Sequence, residues 1–201
     1  MNVLGTHDTE RLITVLAGDT ADGKSNRELA ESRLSDELRK RGADMQILCY
    51  MLISALPGIP CVFYGDEVGM EGYHDPFCRR PFNWQNTTQN PSDYYADKIL
   101  SAYREIGMIR NSSKAIQKGD FRIAYCDSNA VIIIRSLKKE CIAIAINRSD
   151  LPINIYSNCC ASELLTNKKT EKISLNPKSG KYLKISSSDI TSDKIKFETD
   201  I

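Results

Sequence analysis

His7 and Asp8 stand side by side just past the short apolar run Met1 to Leu4, with Gly5-Thr6 between as a place for the backbone to turn. A second acidic pair, Asp66-Glu67, closes the run Pro57-Gly58-Ile59-Pro60-Cys61-Val62-Phe63-Tyr64-Gly65. Asp75 and Arg79 follow, four residues apart. A carboxylate beside an imidazole can hold the hydroxyls of a neutral polar ligand, and it can stabilise positive charge that develops during a reaction. An Arg-carboxylate pair presents a rigid face of donors and acceptors. Each of these residues also has a plainer reading. Asp8 could cap a helix over Glu10 to Ala17, and Asp75-Arg79 could be a salt bridge that fixes a loop.

Such residues need elements to position them. Met1 to Leu4 and Cys61 to Tyr64 both read as short buried strands, and the chain between them is helical, which predicts a strand, crossover, parallel strand unit. Leu12, Ile13, Leu16 and Ala17 fall at helical spacing, and Gly18-Asp19 ends that turn. Ser25-x-x-Glu28 is a capping box and predicts a second helix carrying Leu29, Leu34 and Leu38. Gly42 weakens it, and Ala43 to Leu56 is apolar on nearly every side, which predicts a buried helix ended by Pro57-Gly58. After Gly65-Asp66-Glu67 no period survives as far as about Asn90, which predicts a long loop of functional type. Pro91-Ser92 then opens a helix with Tyr95, Ile99, Tyr103 and Ile106 on one face.

The segments Asn2-Val3-Leu4-Gly5-Thr6-His7-Asp8-Thr9-Glu10-Arg11, Pro57 to Glu67, Gly69-Met70-Glu71-Gly72 and Asp75-Pro76-Phe77-Cys78-Arg79-Arg80-Pro81-Phe82-Asn83-Trp84 together resemble the α-amylase family of glycoside hydrolases. Within it they are most similar to the neopullulanase, cyclomaltodextrinase and maltogenic amylase branch. The resemblance implies that the two strands are the seventh and eighth of a (β/α)8 barrel, whose chemistry lies at the C-terminal ends of its strands. It implies that Asp8 is the transition-state-stabilising carboxylate of a retaining mechanism and that His7 donates a hydrogen bond to the same sugar. It places Asp75 and Arg79 against the sugar two units from the scissile bond. The nucleophilic Asp and the acid Glu of the family lie on strands four and five, upstream of Met1. The chain is therefore expected to be the C-terminal part of such an enzyme and to be inactive in isolation. Trp84 and Phe82 are candidates for stacking on a sugar, although an aromatic in a Pro-rich loop is more often a packing anchor.

Past Asn111-Ser112-Ser113 the texture becomes strand-like, and the expected domains are residues 1–112 and 113–201. The runs Phe121 to Tyr125, Val131 to Ile134, Cys141 to Ile146, Ile153 to Tyr156, Ile173 to Leu175 and Tyr182 to Ile185 alternate with polar turns, which predicts an antiparallel β-sandwich. Ile142, Ile144 and Ile146 share one face, with Ala143 and Ala145 on the other. The tail after Ser186 reads as a marginal strand or an extension. The resemblance makes this domain mainly structural.

A chain of 201 residues is too short for a complete barrel of the usual ~250. A net charge of +1 with both signs interspersed leaves no basic footprint for nucleic acid or an anionic membrane, whereas a neutral α-glucan needs none. No apolar run approaches a membrane span. Seven cysteines, an odd number at irregular spacing, read as free thiols in a reducing, cytoplasmic compartment. Two histidines and no Cys-x-x-Cys pair suit no zinc site, and no cofactor or metal is expected. The function expected is cleavage or transfer of α-glucosidic bonds in maltooligosaccharides, cyclodextrins, pullulan or starch. The alternative is a non-catalytic carbohydrate-binding or interaction module. An isolated piece with two barrel strands is expected to self-associate through its bare edges.

Overall fold

The computed structural model describes residues 1–87, 93–164, 166, 169–186 and 195–200, and these form two compact units. The first comprises Met1–Ile53 and Ile59–Ile106, the second Ser54–Gly58 and Gly107–Ile201.

In the first unit β1 (Asn2–Val3) and β2 (Pro60–Cys61) pair in parallel, Asn2 against Pro60 and Val3 against Cys61. The crossover between them holds three helices, α1 (Leu12–Ala17), α2 (Asn26–Glu31) and α3 (Asp36–Ala55). Both strands are only two residues long, so Val62, Phe63 and Tyr64 of the predicted strand lie beyond the observed one. Gly18 ends α1 in the left-handed conformation, donating back to Thr14 and Val15 carbonyls. Ser25 caps α2 with both halves of the capping box in place.

The predicted second helix is two helices, because Ser32 leaves helical geometry and the chain re-enters at Asp36. Gly42, read from sequence as a weak point, sits inside the continuous α3. Its reason is proximity: a Cβ there would lie 2.6 Å from the Ile13 carbonyl oxygen of α1. Every residue from Gly42 to Leu56 is buried or half-buried, as the pattern required. Helix α4 (Tyr94–Ser112) starts with the Asp93 carboxylate accepting from Tyr95 and Ala96 N–H. The expected opening at Pro91-Ser92 lies outside the described residues.

Ile13, Ala17, Leu34, Ala43, Ile99 and Tyr103 form the core between these helices. Tyr50 and Tyr103 stack at 3.8 Å beside it.

The second unit opens with a short helix the sequence reading missed, α5 (Lys114–Lys118), capped by Ser113 Oγ. Seven strands follow: β3 (Asp120–Cys126), β4 (Ala130–Leu137), β5 (Glu140–Asn147), β6 (Ile153–Glu163), β7 (Lys169–Leu175), β8 (Ser179–Ile185) and β9 (Phe197–Asp200). Hydrogen bonding links them in the order β3-β4-β5-β8-β6-β7, with β9 also on β6, into one antiparallel network. The predicted alternation in β5 is present, but Ile142, Ile144, Ala143 and Ala145 are all buried. One face joins the core of Ile132, Ile134, Ile155 and Leu183, and α5 packs against β4 and β5.

Arg135 of β4 is buried there and donates to the carbonyls of Gly119 (2.8 Å) and Ala55 (2.7 Å). It gives carbonyls at a helix end and a turn the partners they would otherwise lack.

Candidate functional site

The turn after β1 is held by its threonines. Thr6 N–H donates to Thr9 Oγ1 at 2.9 Å, and Asp8 N–H donates to Thr6 Oγ1 at 3.3 Å. His7 and Asp8 therefore sit at the crest of a tight turn, with side chains 65% and 68% exposed. Helix α1 begins only at Leu12, with Arg11 as N-cap and no side-chain cap, so Asp8 is not the helix cap that its position also allowed.

The structure brings all four candidate residues together around one guanidinium. Arg79 Nε donates to the His7 carbonyl (3.0 Å) and lies 2.9 Å from Asp75 Oδ1, while Nη2 donates to Asp8 Oδ1 at 3.2 Å. His7 Nε2 lies 3.2 Å from the other Asp8 oxygen. The Asp75-Arg79 pair anticipated from spacing is present. The reach of Arg79 across to Asp8, 71 residues away in the chain, carried no signal in the sequence. The result is a solvent-facing cluster of two carboxylates, one guanidinium and one imidazole, able to accept from and donate to the hydroxyls of a neutral ligand.

Behind this cluster lies a residue that sequence reasoning passed over. Arg11 is buried, and its Nε donates to the Cys78 carbonyl at 2.7 Å. Its Nη1 donates to the Tyr64 carbonyl and to Asp66 Oδ1. Its guanidinium carbon lies 4.3 Å from the Phe63 ring centre and 4.6 Å from that of Tyr64. Arg11 N–H also donates to the Gly72 carbonyl (3.0 Å), and Gly72 N–H to Thr14 Oγ1 (3.1 Å). The loop carrying Asp75 and Arg79 is thus tied at both ends to the chain just past Asp8. Cys78 adds a bond from Sγ to the His7 carbonyl, 3.1 Å. The available signal was position: an arginine directly before Leu12-Ile13, at the start of a buried face, requires buried partners.

Asp66, the partner of Arg11, is buried, and burial pushes its carboxyl up to about 6 although the Arg11 charge pulls it down. Glu67 Oε2 accepts from Gly65 N–H at 2.7 Å. The acidic pair after β2 is thus turned to backbone and Arg11. Phe82 packs against Val68, Ala96 and Leu100, the anchor role. Trp84 is 75% exposed, with its ring centre 4.8 Å from that of Phe82. Among the described residues no three His, Cys, Asp or Glu side chains are grouped to hold a metal ion. All seven cysteines are free thiols. No helix among the described residues is long and apolar enough to cross a membrane.

No protein-family model matches the chain. Among curated proteins it is 31% identical over 151 residues to a cyclomaltodextrinase of Geobacillus thermopakistaniensis, covering 74% of this chain and 21% of that protein. It is 27% identical over 148 residues to neopullulanase 2 of Thermoactinomyces vulgaris, covering 73% and 20%. Among solved structures, an α-amylase of Geobacillus thermoleovorans in complex with acarbose superposes with a TM-score of 0.66 at 20% identity, over 92% of this chain and 38% of that one. The chain spans about a fifth or less of the length of this cyclomaltodextrinase and of two amylopullulanases that it also matches. Along most of its length this chain is similar to the C-terminal part of α-amylase-family glycoside hydrolases of the neopullulanase and cyclomaltodextrinase type.

Proposed function

We propose that these residues are the C-terminal portion of a retaining hydrolase or transglycosylase of α-glucans such as maltooligosaccharides, cyclodextrins, pullulan or starch. In this reading β1 and β2 are the seventh and eighth strands of a (β/α)8 barrel, residues 1–112 are its last part, and residues 113–201 are a C-terminal β-sandwich. The course of β6 supports the sandwich. Its first half pairs with β7 and β9 and its last residues with β7 and β8, with a register shift between, so one strand can serve two layers.

The observation that carries the reading is Arg79, bonded at once to Asp75, to Asp8 and to the carbonyl of His7. A retaining glycosidase forms a covalent bond between a carboxylate and the anomeric carbon, then releases it to water or a sugar acceptor, through oxocarbenium-like transition states. Asp8 is the fixed negative charge that favours those states and accepts from sugar hydroxyls. His7 donates to the same ring, and the Asp75-Arg79 pair holds the sugar two units away. The 201 residues supply one of three catalytic carboxylates and by themselves turn over no substrate. Their seven thiols fit a reducing, cytoplasmic setting.

The test assays maltotriose, cyclodextrin and pullulan with a longer chain that carries these residues. Asp8→Asn is expected to lower kcat by up to ~1000-fold without unfolding the protein. A kcat near the unsubstituted value would remove Asp8 from the chemistry. Turnover by the 201 residues alone, lost on Asp8→Ala, would show that the missing roles are wrongly assigned.

A further inference from the structure

We infer that a cavity between the α2-α3 connection and the loop after β2 is a binding site for a phosphate group, free or carried on a single sugar. The cavity is about 250 Å3, and its polar lining comes from Arg33, Arg39, Glu71, Arg80, Asn83 and Asp93. None of His7, Asp8, Asp75 and Arg79 lines it.

The charges there do not balance. Arg39 takes both carboxylates, with Nε 2.8 Å from Glu71 Oε1 as an ion pair and Nη2 bonded to Asp93. The second Glu71 oxygen accepts from Leu34 N–H at 2.8 Å, and Asp93 also caps α4. Arg33 and Arg80 are left with no carboxylate partner among the described residues. Arg80 Nη2 donates to the Leu29 carbonyl (2.8 Å) and Arg33 Nη1 to that of Ser32 (2.7 Å). Nη1 of Arg80 and Nη2 of Arg33 have no hydrogen-bond partner among the described residues. Burial, then the neighbouring Arg33 charge, holds the Arg80 guanidinium below its ordinary range.

Glu71 acts on Arg80 from a distance but is held by Arg39 and Leu34, and two guanidiniums lining one space with no salt bridge of their own are paired most strongly by an oxyanion that accepts from both forks, a geometry phosphate matches. The volume lies below the ~300 Å3 at which pockets for drug-sized ligands begin, which suits a phosphate or a monosaccharide phosphate. The site does not depend on the proposed function.

Calorimetry on the whole 201-residue chain tests it with inorganic phosphate, glucose 6-phosphate and glucose, each up to roughly 10 mM at matched chloride ionic strength, enough to define a millimolar constant. We expect saturable binding of phosphate, none of glucose, and at least tenfold weakening in Arg33→Glu, which sets a carboxylate where the anion would sit. Arg33 is exposed, so that variant folds, and Arg80→Gln should weaken binding in the same direction. Tenfold tighter binding of glucose 6-phosphate assigns the site to a phosphorylated sugar, and equal affinity assigns it to free phosphate. No saturable heat with either phosphate, or heat that both substitutions leave unchanged, overturns the site.

Discussion

Arg11 and Asp66 face each other 3.3 Å apart, with side chains 0% and 5% exposed. They join the chain leaving β1 to the 3-10 turn Asp66–Val68 that follows β2. The pair is a buried junction between the two segments that hold the candidate site.

Removing one member of a buried pair leaves the other charge uncompensated, which commonly costs about 3–5 kcal/mol. Arg11→Met also strips the Cys78 and Tyr64 carbonyls of a donor. Urea unfolding of Arg11→Met should show a loss in that range, and Arg11→Met/Asp66→Leu a smaller one, because no lone charge remains. A loss below ~1 kcal/mol for the single variant would mean that the junction is held by packing alone.

The carboxyl of Asp66 is pushed up to about 6 from 3.8, first by burial. A carboxyl raised in the fold binds a proton more readily folded than unfolded, so its contribution to stability is full below about 4 and is lost as pH rises through about 6. The shift corresponds to about 3 kcal/mol. Asp19 and Asp127 are lowered, and stability due to them is lost only as pH falls below the ordinary Asp range. For Asp127 the hydroxyl of Tyr125 is the main cause, while at Asp19 the bonds from Lys24 and Tyr73 outweigh burial. The urea midpoint should therefore rise from pH 7 to pH 5 and turn down below pH 4. A midpoint that falls steadily from pH 7 would show that Arg11 outweighs burial at Asp66.

Arg79 spans three acceptors with one planar fork, and lysine cannot reproduce that. In a longer, active chain Arg79→Lys should leave kcat within a fewfold and raise KM about tenfold, because the substituted ammonium loses either Asp75 or Asp8. Equal effects of Arg79→Lys and Arg79→Ala on both parameters would mean that the guanidinium only fixes the loop.

Much of the fold was legible because local chemistry and tertiary structure agree. The Ser25-Glu28 box, the buried face of α3 and the alternation of β5 each depend on residues a few positions apart. The contacts that assemble the site do not. Arg79 to Asp8 spans 71 residues and Arg11 to Cys78 spans 67, and no periodic pattern encodes either. Asp75 and Arg79, four apart, were readable as a pair for the same reason that their link to Asp8 was not. Gly42 shows the converse. Propensity marks it as a helix breaker, whereas the structure uses its missing side chain to let α1 approach α3.

That contact gives a test in which two effects oppose. Gly42→Ala improves helix propensity by about 1 kcal/mol, but the new Cβ would lie 2.6 Å from the backbone oxygen of Ile13, which cannot swing aside. Forced overpacking of this kind typically costs about 1–3 kcal/mol, so a net loss in thermal or urea stability is expected. An increase would mean that α1 moves freely against α3.

β1 and β2 form a two-stranded sheet among the described residues, and the chain around it exposes Val3, Ile59, Val62 and Tyr64 at 41%, 72%, 39% and 41%. Strand edges of this kind are templates for pairing, and apolar surface beside them adds a drive to be covered. The 201-residue chain should therefore self-associate at micromolar concentration, and Ile59→Lys with Val62→Lys should shift it toward monomer, since both side chains are exposed and a charge on an edge blocks pairing. Sedimentation velocity separates the outcomes. A monomer at every concentration, with slowly exchanging amides at Cys61 and Val62, would show that the edge is protected within the chain and that the exposed residues drive no association.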